Sequence, residues 1–162
     1  MQQPLETAAS DAAVVQYSLA VAADLHGVSE LLTANGLPSS DIVQHLPNCV
    51  VAKLRGEIVA VAGIEVHTPD ALLRSVCVRA AQRGRGLAVR ACELLEAHAR
   101  NLGVTRLYLL TTTARGYFEQ RGFEVCPRAA APAAIRATAE FAALCPATAT
   151  CMRRQLGACQ ES

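Results

Sequence analysis

The stretch Ser75 to Gly103, SVCVRAAQRGRGLAVRACELLEAHARNLG, constrains the fold more than any other part of the chain. A β-branched run passes through Arg83-Gly84-Arg85-Gly86 and enters a segment whose apolar positions (Leu87, Ala91, Leu94, Leu95, His98, Leu102) fall on one helical face. Gly103 follows as a stop signal. Glycine loses the most backbone freedom on folding, so two of them weaken a helix entrance unless something must approach the backbone there. A helix N-terminus offers unpaired N–H groups and the positive end of a dipole, and the missing Cβ atoms let a phosphate reach them. Tight turns use glycine in the same way, so the pair alone does not decide the matter. Neither GxxxxGKS/T nor GxGxxG is present.

Charge distribution agrees with an anionic ligand at this point. Residues 1–52 hold five acids and no Lys or Arg, whereas residues 74–128 hold ten arginines against four acids. A nucleic acid partner is not expected, because aromatics make up only 4% of the chain and no basic helix face carries them. A phosphorylated small molecule fits better. The apolar stretch Ala12 to Ala23 is interrupted by Gln16, Tyr17 and Ser18 and falls short of the ~20 residues of a membrane helix. No basic segment precedes it, so neither a secretory leader nor a membrane partner is expected and the reading is soluble and cytoplasmic. Seven cysteines without CxxC or zinc-type spacing read as reduced core residues, and no metal is expected. Cys145, Cys151 and Cys159 crowd the C-terminal region, which leaves a thiophilic ligand as a lesser alternative.

The remaining signals place one domain over residues 12–156, between a polar lead-in (1–11) and a tail (157–162). Val14 to Leu19 reads as a strand; Asp24 caps a helix ending at Asn35-Gly36; Ser39, Ser40 or Asp41 caps a shorter one. Two β-rich runs flank Arg55-Gly56, a hairpin signal, and Thr68-Pro69-Asp70 turns into LLRSVCV. TRLYLLTTT is a buried strand, ARGYFEQRGF a short helix, FEVCP a strand, Pro132 to Leu144 a helix and TATCMRRQL a final strand. This order predicts a mixed α/β domain with a largely antiparallel sheet and helices on both faces.

Arg83, Gly86 and Ala88 match the pattern of Gln or Arg, two residues, Gly, one residue, then Gly or Ala, directly after a strand. In this the sequence resembles the GNAT superfamily of acyl-CoA-dependent N-acetyltransferases. LYLLTTTARGYFEQRGF, Leu107 to Phe123, is similar to the family's fifth strand, fourth helix and closing Gly-Phe. The resemblance implies the GNAT fold, a twisted sheet of about seven strands splayed between strands four and five. It implies acetyl-CoA as cofactor, its pantetheine arm pairing with Val76, Cys77 and Val78 and its pyrophosphate resting on the amides of Gly84, Arg85, Gly86, Leu87 and Ala88, with Arg83 adding charge. A homodimer is an expectation by analogy with this fold. The family tyrosine that protonates the departing thiolate aligns with Phe118, one residue after Tyr117. Neighbouring helix residues point about 100° apart, so the proton donor stays open between a water, another side chain and none.

Glu65 is the first candidate for the base that takes the amine's proton, ahead of His67 and Glu140. Arg74 and Ser75 precede the pantetheine stretch. An arginine in an apolar strand needs a partner, which a substrate carboxylate or an internal ion pair would supply. Thr111, Thr112 and Thr113 offer hydroxyls to an acceptor at the open end of their strand, although threonine is also ordinary strand material. The block AAPAAIRATAEFAALCP resembles acetyltransferases associated with arsenic resistance, which implies a glutamate-like organoarsenical acceptor. LTTTA is also similar to short glutamate N-acetyltransferases of arginine synthesis. An acyl-CoA-binding sensor without turnover is the alternative of a different class.

Overall fold

The central sheet is assembled from Gln16–Leu19 (β1), Cys49–Leu54 (β2), Glu57–His67 (β3), Asp70–Val78 (β4), Arg106–Thr111 (β5), Glu124–Val125 (β6) and Thr150–Gln155 (β7), in the spatial order β1-β2-β3-β4-β5-β7-β6. This computed structural model describes residues 14–157; the lead-in over 1–11 and Cys159 lie outside them. Arg55 and Gly56 both take positive φ, 53° and 82°, which is what a two-residue hairpin between β2 and β3 requires. All neighbouring strands are antiparallel except β4 and β5. The helix Leu87–Asn101 (α3) makes the crossover that a parallel pair needs.

Leu25–Ala34 (α1) and Ile42–His45 (α2) cover one face of the sheet, where Val28, Leu31, Leu32 and Ile42 meet Cys49, Val51, Val61 and Cys77. The alternating residues Val50, Ala62, Ile64 and Leu73 point the other way and pack under α3. The buried stripe of α3 runs through Leu87, Ala91, Cys92, Leu95 and Ala99, and Leu102 is 41% exposed. The predicted stripe was therefore rotated: small Ala and Cys side chains let the helix approach the sheet, and Glu96 is buried on this face with Arg121 and Arg154 on its carboxylate.

The predicted helix from Pro132 to Leu144 is broken. Ala133–Arg136 (α5) ends where Thr138 Oγ donates back to the Ile135 carbonyl at 2.7 Å, and a π turn, Glu140–Leu144, follows. Ile135 and Phe141 close over Leu72, Tyr108, Cys126 and Cys151, on the same face as α1 and α2. Arg115–Gln120 (α4) links β5 to β6.

Two features of β4 open the sheet. Its pairing with β5 is confined to Asp70–Arg106, Ala71–Leu107 and Leu72–Tyr108, although both strands run on. From Leu73 and Leu109 onward they diverge. Opposite β3, the register slips between the Gly63–Arg74 and Val61–Cys77 pairs, so Ser75 and Val76 together face Ala62. This is a β-bulge, and Ser75 takes φ 60° within it. Such a bulge bends the strand and re-aims its side chains, and here it lies at the fork.

Candidate active site

The mouth of α3 is built as the sequence suggested. Gly84 and Gly86 have φ of 82° and 77°, in the left-handed region where a side chain would be strained. A Cβ added at either would meet no protein atom within 4 Å. Among the described residues, no acceptor takes the amides of Gly84 to Val89; the first bond of the helix is Arg90 N to Gly86 O at 3.1 Å. The mouth is thus a set of free donors behind open space. A groove of about 660 Å³ runs from it along Val76, Cys77 and Val78, walled on the far side by Asn35, Thr113, Ala114 and Tyr117. Arg83 lines it, bonded to the Val78 carbonyl (3.3 Å) and to Asn35 Oδ1, whereas Arg85 is exposed and outside it.

A second cleft, of about 200 Å³, occupies the fork itself. Leu73 to Val76 form one side and Leu109 to Thr113 the other, with Phe118, Glu140 and Cys145 closing the end. Leu37, Val76, Thr113 and Ala114 line both cavities, so groove and cleft adjoin. The predicted acceptor residues Arg74, Ser75, Thr111, Thr112 and Thr113 all line it; Thr111 Oγ accepts from Ala114 N at 3.0 Å and so shapes the start of α4. Phe118 is buried, edge-on to Tyr117 and Phe123. The Tyr117 hydroxyl is buried without a hydrogen-bond partner among the described residues, and burial, then Cys92, raises its pKa. It belongs to the α3 side.

Of the two partners open to Arg74, the internal ion pair is present. Its side chain is fully buried, and the protein's own carboxylates surround it: Asp41 bidentately, with Nη1 to Oδ2 at 2.7 Å, Glu140 at 3.3 Å and Glu65 at 3.5 Å. A buried guanidinium must be matched, and these carboxylates do so. Burial would lower its pKa, but the Asp41 hydrogen bonds, then Glu140, raise it overall. Arg74 in turn holds Asp41 below the usual carboxylate range. Asp41 stands at the predicted cap position of α2, yet its carboxylate makes no cap bond and goes to Arg74.

Glu65 is also displaced from its expected place. It lies behind Arg74, bonded to His67 Nε2 at 3.0 Å and 3.5 Å from His45 Nε2, and neither it nor His67 lines the cleft. His45 has its pKa lowered by burial and then by Arg74. Of the three candidate bases only Glu140 reaches the fork. Asp41, His45 and Asn35 were not foreseen as part of the site, and Cys145 was singled out only for a thiophilic ligand; Asp41 gave a signal that also reads as a helix cap.

Two carboxylates and an imidazole, Asp41, Glu65 and His45, could be mistaken for a metal centre on proximity. The Arg74 guanidinium already occupies both carboxylates, in the place a metal ion would take between them, so the cluster does not carry that reading.

Solved structures with the same fold include N-acetylglutamate synthase from Neisseria gonorrhoeae with coenzyme A and N-acetyl-glutamate, at TM-score 0.77 and 18% identity over 90% of this chain. The present chain spans only 36% of that protein. Rv2747 from Mycobacterium tuberculosis, solved with CoA and NLQ, aligns at TM-score 0.74 and 21% identity over 86% of this chain and 98% of its own. The ribosomal-protein-S18-alanine N-acetyltransferase from Escherichia coli aligns at 0.67 and 18% identity, covering 92% and 98% of the two chains. The free amides at a glycine-flanked helix mouth, the forked sheet and a match of residues 17–123 to the acetyltransferase (GNAT) family model all agree: the chain belongs to that family, whose acetyl donor is acetyl-CoA.

Proposed function

We propose that this protein transfers an acetyl group from acetyl-CoA to the primary amine of a small, amino-acid-like acceptor. The observation that carries the reading is that the groove at the free amides of Gly84 to Ala88 shares its wall with the cleft in the fork between β4 and β5. In this reading those amides hold the pyrophosphate, and the β4 backbone from Val76 to Val78, with no strand beside it on the β5 side, pairs with the pantetheine arm. The bound thioester supplies the activated acetyl group. The bulge at Ser75–Val76 leaves a strand amide outside the ladder, available to polarise a carbonyl in the cleft. The fork fixes where an amine can approach, so positioning does much of the work.

A glutamate-like acceptor, including an organoarsenical one, is supported by the AAPAAIRATAEFAALCP block, whose residues form the cleft's outer wall through Glu140, Leu144 and Cys145. Glutamate itself is the second reading, favoured by the likeness to N-acetylglutamate synthase. Either would be recognised through Thr111 to Thr113 and the strand-end amides, because Arg74 is engaged. We place the protein in the cytoplasm: its six described cysteines are all free thiols, and no helix among the described residues is long and apolar enough to cross a membrane.

The test is an acceptor screen with purified protein, following thiol release from acetyl-CoA in the presence of glutamate, glutamine and glutamate-like arsenic and phosphorus amino acids. Turnover with one of them and its loss in Gly84→Asp, which sets a carboxylate against the phosphates, is the expected result. Tight acetyl-CoA binding without thiol release for any amine would point to the sensor alternative.

A further inference from the structure

We propose that Glu140 receives the acceptor's ammonium group in the fork and takes its proton, so that the site selects a cationic amine. The inference rests on the reading above and adds to it a residue and a charge rule. Glu140 is 4% exposed and lines the cleft, and among the described residues no N–H or O–H donates a hydrogen bond to its carboxylate. Its near contacts are the Cys145 thiol at 3.6 Å and Arg74 Nε at 3.3 Å, and that Nε–H is directed to Ser75 Oγ. A carboxylate can accept about four hydrogen bonds. One left nearly bare at the wall of a polar cavity is short of a donor, and an ammonium group brings three.

The charge balance points the same way. Around the group stand Arg74 from β4, Asp41 from α2, Glu65 from β3 and Cys145 at the end of its own turn, with His45 held on Asp41 and Glu65 and His67 on Glu65. One guanidinium stands against three carboxylates, and Asp41 holds both of its terminal nitrogens. An incoming cation relieves that excess, whereas a carboxylate end must be accommodated away from it, toward the threonines. Glu140 is set in place by a rigid wall. Arg128 bonds the carbonyls of Phe141 (3.1 Å) and Pro146 (3.1 Å) and lies over the Phe141 ring, while Thr138 Oγ accepts from Phe141 N at 3.4 Å.

The step balances simply. R–NH3+ gives one proton to the Glu140 carboxylate, leaving R–NH2. The nitrogen lone pair forms the C–N bond at the thioester carbon, and the C–S pair departs with sulfur. The second proton lost by nitrogen ends on the released thiolate, and Glu140 returns its own to solvent.

Calorimetry on the full chain separates this from the reading it rests on. CoA is titrated first; failure of the wild type to bind it removes the acetyltransferase reading itself. The CoA complex is then titrated with n-butylammonium and, in parallel, with n-butanol. The expected result is that wild type prefers the cation at least tenfold, that Glu140→Gln loses the preference at unchanged CoA affinity, and that the preference fades in wild type as pH falls and the carboxylate protonates. CoA binding with no preference for the cation in wild type, or a preference that survives in Glu140→Gln, overturns the proposal.

Discussion

Replacing Arg74 by Met keeps the length of the side chain and removes its charge. The guanidinium has no exposed side-chain surface, and three carboxylates meet it at 2.5 to 3.5 Å, so its loss leaves uncompensated charge inside the protein. Removing one partner of a buried pair costs about 3–5 kcal/mol. Asp41 and Glu65 keep 13% and 14% of their side-chain surface in contact with solvent, so water can relax around them and the lower end, about 3 kcal/mol, applies. For a chain of this size each kcal/mol moves Tm by about 2–4 °C, giving a fall of roughly 6–12 °C at neutral pH. The pH dependence carries the diagnosis. Arg74 lowers the Asp41 pKa from its ordinary 3.8, so that stabilisation is present above the unfolded-state value and is lost as pH falls through the folded one. The gap between wild type and variant is therefore full at pH 7 to 8 and narrows below about 4. Thermal denaturation followed by circular dichroism across pH measures both. A variant that melts within about 2 °C of wild type but shows a raised acceptor KM would refute the ion-pair role and restore Arg74 as a ligand for the acceptor.

Glu140→Gln should melt higher than wild type at pH 8 and no higher at pH 4, because burial raises the Glu140 pKa above its ordinary 4.5 and the folded protein loses stability as pH rises through that window; a lower Tm at pH 8 would contradict this. Gly63→Ala places a Cβ 2.7 Å from the buried Cys49 Sγ and should cost about 1–3 kcal/mol in urea denaturation, most of it recovered in the double variant with Cys49→Ala. Failure of the second substitution to rescue would move the clash elsewhere. Tyr117→Phe removes a buried hydroxyl that has no partner, so stability should hold or rise by about 1 kcal/mol and kcat should not change. A hundredfold fall in kcat would mean that this hydroxyl protonates the leaving sulfur.

The parts of the site that were legible in the sequence are those made by contiguous residues. An amide cradle at a helix mouth needs a strand, two positive-φ glycines and a helix in immediate succession, and Val76 to Ala88 supplies them without help from the rest of the chain. Local propensity speaks directly about such a segment, so the glycine-flanked helix mouth could be drawn before the fold was known. The acceptor side is a different kind of object. Asp41 belongs to a helix start, Glu65 to a strand end, Arg74 to the middle of another strand and Glu140 to a π turn that breaks an expected helix. Each of these residues has an unremarkable local reading, as a cap, an exposed strand-end acid, a substrate ligand or a helical position. What assigns them is the order β3-β4-β5 and the bulge at Ser75, which bring distant acids around one buried cation. The same geometry explains why the sequence could not choose between the two partners open to Arg74. Nothing within the strand can neutralise it, and its main partner lies 33 residues upstream on another element. Three acids share that single cation, and the one left with the poorest contact, Glu140, is also the one that faces the fork.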